Sequence, residues 1–399
     1  MKSIVRLVAA SCSVIAVSLS SAVADSYSWT NLQSDIPGVA AHTDPNLVNP
    51  WGMAPNSSGS VIWVSDNGTG VSTLYKQDGT ANPLIVTIPA KDKNKTGTPT
   101  GIVRNDTPFF KVTKNGNSQP AKFIFVSEDG VISGWNNSLD PNNAIIAVKA
   151  KDDAVYKGVT MGVANSHNFL FATNFKKARI DVYDENFTLV NMNKFMDPNL
   201  PKKFAPFGIR NINGQIYVTY AKQGPGEKDD VAGPGNGFID VFDTSGNLVR
   251  RLVSNGNLNS PWGLALVEGD ELWVGNFGDG KINNYDPTTG AFLGTINRAD
   301  GTPLQFDGLW DLLPLGDGVY FTAGIADEEH GLFGLISCDD NQTAKFCSDQ
   351  CNGNSQCIAE CESSFYKSDT SACGCQVQAS DCQVPSDYVA AACGCTATR

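Results

Sequence analysis

A motif that returns at regular intervals governs what this chain can fold into. "NPWGMAP" at Asn49 comes back as "APFGIRN" at Ala205 and as "SPWGLAL" at Ser260. Looser copies read "TPTGIVR" at Thr98, "YKGVTMG" at Tyr156 and "FDGLWDL" at Phe306. Each copy is followed by an alternating apolar run: "VIWVSD", "KFIFVSED", "NFLFATN", "QIYVTY", "ELWVGN" and "GVYFTA". Most units then add a third run, such as "RIDVYDE" or "GFIDVFDTSGN", and a fourth such as "NLVRRLVS". The period of roughly fifty residues, with period-two strands and Gly, Asn or Asp turns, is that of a four-stranded propeller blade. Six copies specify an all-β fold, a six-bladed β-propeller.

The sixth unit has no fourth strand. After "GLFGLIS" the chain reaches Cys338, where a cysteine-rich region begins. A strand-like run, "SYSWTNLQSD" from Ser26 to Asp35, precedes the first unit. Pairing this N-terminal strand into the last blade closes the ring and covers an edge that would otherwise stay open.

The segments outside the repeats carry their own signals. Lys2 and Arg6, an apolar run and Ala22-Val23-Ala24 make residues 1–24 a secretory signal peptide, too short and too Ser-rich to span a bilayer. The apolar run continues past Cys12, which argues against a lipoprotein anchor there. Losing that segment takes two basic residues and no acidic one, moving the formal charge from -12 to -14. Such a balance disfavours nucleic acid and anionic membranes and favours cations or basic partners, or serves solubility alone. Ten of eleven cysteines (Cys338, Cys347, Cys351, Cys357, Cys361, Cys373, Cys375, Cys382, Cys393 and Cys395) fall in the C-terminal segment 338–399. An even number so clustered in a secreted chain reads as a small disulfide-rich domain, an attachment or interaction module set apart from a propeller at 25–337. Seven Asn-x-Ser/Thr sequons, at Asn56, Asn67, Asn94, Asn105, Asn136, Asn186 and Asn341, are glycan acceptors in a eukaryotic host. The expected product is an extracellular monomer with no transmembrane anchor, or a periplasmic or cell-surface protein in a bacterium.

Candidate ligands gather on one face, here called upper, where each blade's innermost strand starts. The ends of the second strands present Asp66, Glu128, Asn174, Tyr220, Asn276 and Ala323. A Gly/Pro-rich insertion in blade four, "AKQGPGEKDDVAGPGNG", adds Asp229 and Asp230 on a segment long enough to act as a lid. Oxygen ligands of this kind suit calcium, with Glu128, Asn174 and Asn276 foremost and Asp66, Asp229 and Asp230 as binding residues. Turn chemistry explains short polar side chains at strand ends equally well. The loop "IADEEH" of the closing blade and "AAHTDPNLVN" before blade one bring His42, Asp44, Glu329 and His330 to one sector. Those four suit zinc or another transition metal, or a hydrogen-bonded role in closing the ring. Trp51 and Trp262 repeat one blade position and read as core.

The strings "NPWGMA", "VSDNGTGVSTLY", "DDVAGPGNGFIDVFD" and "YFTAG…DEEHGLFG" resemble a family of uncharacterised secreted six-bladed propeller proteins, known mainly from bacteria. The resemblance covers roughly Ser28 to Ile336 and implies the fold without an activity. More distantly, "PWGLALVEGDELWVGNFGDGKINNYDPTTG" is similar to NHL-type repeats and to gluconolactonase-like propellers. The latter resemblance implies a divalent metal at the upper channel, held by Glu128, Asn174 and Asn276.

No G-x-S-x-G elbow, phosphate loop or dinucleotide fingerprint occurs. The sequence therefore points to a secreted binding or surface-associated protein with an acidic upper face and a disulfide-rich tail, facing an extracellular protein or polysaccharide. The alternative is a metal-dependent, lactonase-like hydrolase or lyase acting at the upper channel.

Overall fold

The computed structural model describes residues 26–190, 194–267, 269–316 and 318–338. The leader at 1–24 and the cysteine framework from Cys347 to Cys395 lie outside the described residues. No helix among the described residues is long and apolar enough to cross a membrane.

Each sequence repeat folds as one antiparallel sheet. Blade one comprises Pro50–Pro55, Val61–Asp66, Val71–Lys76 and Val86–Thr87, and blade two Pro99–Arg104, Phe123–Ser127, Val131–Trp135 and Ile145–Lys149. Blade three runs from Tyr156–Ala164 to Leu189–Val190, blade four from Phe204–Ile212 to Leu248–Ser254, and blade five from Pro261–Val267 to Phe292–Thr295. A short hairpin, Lys111–Lys114 with Asn117–Pro120, is inserted in blade two. The first strand of every blade is the edge strand of its sheet. Each first strand packs on the first strand of the next blade, and Leu309–Leu315 packs back on Pro50–Pro55. That cycle of six contacts is a closed propeller.

The glycine of each repeat motif permits this approach. A Cβ on Gly208 would stand 2.1 Å from the Trp262 carbonyl oxygen, and one on Gly263 2.6 Å from that of Trp310. Contacts this tight exclude any side chain at the position. Blade six carries Asp311 where the other blades carry this glycine. Its carboxylate reaches across the seam to accept the Met53 amide at 2.8 Å, and pairs with Arg210 of blade four at 2.6 Å. One buried aspartate thus ties blades one, four and six together.

Closure follows the expectation from the sequence. Leu309–Leu315, Gly318–Ala323 and Leu332–Cys338 are completed by Tyr27–Ser34, which pairs antiparallel from Tyr27↔Cys338 to Ser34↔Leu332. His42–Thr43 adds a parallel bridge at Gln33 and Ser34. Asp35, directly after the closing strand, accepts the Gly331 amide at 2.8 Å and meets His330 Nδ1 at 2.6 Å. His330 is therefore a partner of the ring closure.

Candidate functional site

The centre of the upper face is set by strand register. Pro50 pairs with Asp66, Tyr156 with Asn174, Pro206 with Tyr220 and Pro261 with Asn276. In blade two the partner of Pro99 is Ser127, so Glu128 stands one residue beyond the column of strand ends. Side chains alternate between faces along a strand, so this single step separates Glu128 from Asn174 and Asn276. The positions directly after those first-strand residues are Trp51, Thr100, Lys157, Phe207, Trp262 and Trp310. Trp51, Phe207, Trp262 and Trp310 join Phe175 and Phe277 in one cluster drawn from five blades. Side chains from blades so far apart meet only on the axis. Trp51 stacks on Trp310 with centroids 3.3 Å apart, and both meet Trp262 edge-on. The axis is plugged with aromatic rings.

Lys157 is the charged member of that ring. Its side chain is 4% exposed, with Nζ 2.6 Å from Glu128 Oε1 and 5.0 Å from the Trp51 ring centroid. A buried ammonium is tolerable only with a counter-ion, and the aromatic face beneath adds a cation–π contact. Glu128 Oε2 accepts from Asn67 Nδ2 at 3.2 Å. Burial pushes the Glu128 carboxyl up, but the Lys157 ammonium outweighs it and leaves it below its ordinary value. Glu128 is a carboxylate at neutral pH.

Further carboxylates converge on the same lysine. Asp229 of the blade-four loop lies 3.9 Å from Lys157 Nζ and is largely exposed. Its neighbour Asp230 is pushed up by burial, opposed by Ser260 and Lys157. Glu328 is also pushed up by burial, opposed by a hydrogen bond from Asn49 and by Lys157, and repelled by Glu128 and Asp230. Asn49 Nδ2 donates to Glu328 Oε2 at 2.7 Å, while Asn49 Oδ1 accepts from Trp310 Nε1 at 2.9 Å. Asn49 therefore couples the aromatic plug to the acidic rim. The loop presenting Glu328 holds three successive residues, Ala326, Asp327 and Glu328, at φ of 55°, 55° and 66°. Each such residue costs about 1–2 kcal/mol, and strain of this kind gathers at working sites. The assembled site is the Lys157–Glu128 pair over an aromatic floor, with Asp229 beside the ammonium and Asp230 and Glu328 within its electrostatic reach.

Other sequence candidates take different places. Asp66 is wholly buried in blade one, where it accepts the Thr73 amide at 2.9 Å and burial drives its carboxyl well up. Asn174 Nδ2 donates to Asp181 at 2.8 Å, and Asn276 Nδ2 to the Asn257 carbonyl at 2.8 Å. Asp44 receives the Tyr75 hydroxyl at 3.0 Å and caps Asn46 at 2.9 Å. His42 is exposed beside the Gly79 turn, Glu329 is exposed, and His330 is bonded to Asp35. Reading by motif alone missed Lys157, Asn49 and Asn67, and within the "DEEH" loop it favoured Glu329 and His330 over Glu328. The signal for Lys157 was present, since "YKG" stands where other copies read "PWG" or "PFG".

The gluconolactonase-like resemblance implied a divalent metal on Glu128, Asn174 and Asn276. These residues do not fit one. The Lys157 ammonium already neutralises Glu128, and both asparagine Oδ1 atoms accept backbone amides, Asn174 from Val155 at 3.3 Å and Asn276 from Asn259 at 3.1 Å. Among the described residues, no three His, Cys, Asp or Glu side chains stand close enough to hold a metal ion.

The fold and site together define a six-bladed propeller with an axial aromatic plug and an acidic upper mouth. No family model matches the chain. Two uncharacterised proteins of Acanthamoeba polyphaga mimivirus are each 32% identical to it. The alignments run over 315 and 319 residues, 75% of this chain in both cases and 77% and 83% of theirs. The chain belongs to the family of these viral proteins. Among solved structures, a putative gluconolactonase has a TM-score of 0.48 at 13% identity, covering 80% of this chain and 93% of its own. A streptogramin B lyase has a TM-score of 0.46 at 13% identity, covering 78% and 98%. Likeness at that level carries no chemistry to this chain.

Proposed function

We propose that the protein is a secreted or surface-associated binding module whose upper face takes a positively charged partner. One observation carries the reading: the buried Lys157–Glu128 pair has Asp229 3.9 Å from its ammonium, and Asp230 and Glu328 lie near enough to feel its charge. Lys157 and the exposed Lys228 stand beside four carboxylates, so the cluster keeps an excess of negative charge among the described residues, and burial raises the cost of that excess at Asp230 and Glu328. A cationic group docking at the rim relieves it. The exposed acids Glu227, Asp327 and Glu329 extend the same sign outward. Lysine or arginine side chains of an extracellular protein match this surface, and steering by the net charge of -12 speeds their encounter.

Calorimetric titration at low ionic strength with a lysine- and arginine-rich peptide, and with neutral and acidic peptides of equal length, tests the reading. Saturable binding of the basic peptide alone, weakened by salt, is the expected result. Equal binding of all three peptides, or of none, would remove it.

A further inference from the structure

The aromatic plug divides the axis, and the mouth on the opposite face opens into a separate cavity of about 290 Å³. That volume is at the small end of ligand pockets, the size of a compact metabolite. Its walls are the inner edges of the first strands, contributed by every blade. In each sheet the first strand is the edge strand, so its axial side has no neighbouring strand, and side chains take only some of its groups: Asp311 the Met53 and Leu312 amides, Thr160 Oγ1 the Asn211 amide. Such an edge offers alternating donors and acceptors.

Two side chains add to them. Asp311 is 2% exposed and uses both oxygens inside the fold, on Arg210, Met53 N and Leu312 N. Arg210 is a quarter exposed, and its only side-chain hydrogen bond among the described residues runs from Nη2 to Asp311 at 2.6 Å. Its remaining donors line a cavity in a position fixed by that ion pair. At the rim, by contrast, Arg104 has every donor group engaged, with Asp106 and with the Pro55 and Asn56 carbonyls. Both arginines are thus paired with an aspartate, and the cavity is neutral overall.

We infer that this lower cavity is a second binding site, for a small neutral polyhydroxylated ligand of about the size of one sugar ring. Hydroxyls both donate and accept, which suits edge backbone on every side, and a neutral ligand suits a wall whose charges are already matched. An anion would meet Asp311 and Asp106, and an apolar molecule would leave the edge groups and Arg210 unpaired.

The test uses the wild-type chain first. Hydrogen–deuterium exchange is followed with glucose, galactose and mannitol as probes at millimolar concentration. Protection confined to the six first strands, 50–55, 99–104, 156–164, 204–212, 261–267 and 309–315, saturable with at least one probe, is the expected result. Protection of the upper loops at 224–236 and 325–330, or none with any probe, overturns the inference. Titration of Arg210→Lys and Arg210→Ala supplies a second reading, since lysine keeps the charge and loses the fork. Affinity should fall at least about tenfold in the alanine variant and less in the lysine variant. Equal affinity in a folded Arg210→Ala protein overturns the inference as well. Should that variant not fold, the exchange pattern of the wild type decides alone.

Discussion

Lys157 of blade three and Glu128 of blade two form an ion pair at 2.6 Å whose side chains are 4% and 11% exposed, directly above the aromatic rings that plug the axis. The pair joins adjacent blades at the centre of the disc. Its ammonium also opposes the upward push that burial gives Asp230 and Glu328.

Removing one partner should therefore be severe. Lys157→Met leaves Glu128 buried without its counter-ion and should cost about 3–5 kcal/mol in urea unfolding. Replacing both, with Glu128→Leu added, should recover much of that loss, because an apolar pair carries no desolvation cost. A Lys157→Met protein as stable as its parent would mean that the pair is not buried in solution.

The acidic rim should make stability depend on pH in a definite direction. Glu328 and Asp230 are held above their ordinary values, chiefly by burial. Between the ordinary and the raised values the native protein binds more protons than the unfolded chain, so their contribution is full at acid pH and is lost as pH rises. The variant Glu328→Gln/Asp230→Asn lacks these titrations. Its thermal midpoint should exceed the parent's at neutral pH, with the gap narrowing below the ordinary carboxylate range. Glu128 acts oppositely, since its lowered value gives stability that disappears as pH falls through it.

The loop "DEEH" divides its labour. Glu328 faces the axial site, whereas His330 and Asp35 hold the closing seam. Asp35→Ala should cost more stability than His330→Ala, because Asp35 also accepts the Gly331 amide. About 1–2 kcal/mol for the first and about 1 kcal/mol or less for the second are expected in chemical denaturation without added metal. Dependence of the His330→Ala effect on added zinc would point away from a structural role.

Sequons should be used unequally when the chain is secreted from eukaryotic cells. Asn94 and Asn186 are exposed. Asn105 and Asn136 are buried, with their amides bonded to backbone carbonyls, and buried Asn67 reaches Glu128. Peptide mass spectrometry of folded material should find glycans at the first two and none at the last three.

How much of this was legible in the sequence follows from what repeats. The six Pro-Trp-Gly-like copies and the orphan strand at Ser26 specify six blades and their closure, because a blade lacking its fourth strand leaves an open edge. The site was harder to read. Glu128 was recognisable as an upper-face acid, but whether it belonged with Asn174 depended on a register shift of one residue in blade two. Lys157 and Glu328 depart from their repeats singly, and only the ring geometry brings them to one lysine-centred cluster. The carboxylate of Asp311 was likewise hidden, since "LWD" in place of "PWG" reads as a weak copy until the seam is seen.

The most direct measurement of the central claim compares the wild type and Glu328→Gln/Asp230→Asn in titrations with one basic peptide, in two buffers of different ionisation enthalpy. The account expects the double variant to bind about three- to tenfold or more weakly. It also expects the wild type to release protons on binding near the acid end of its range, because a docked cation draws Glu328 and Asp230 into their charged forms. Unchanged affinity in the variant, with no proton release from the wild type, would contradict it.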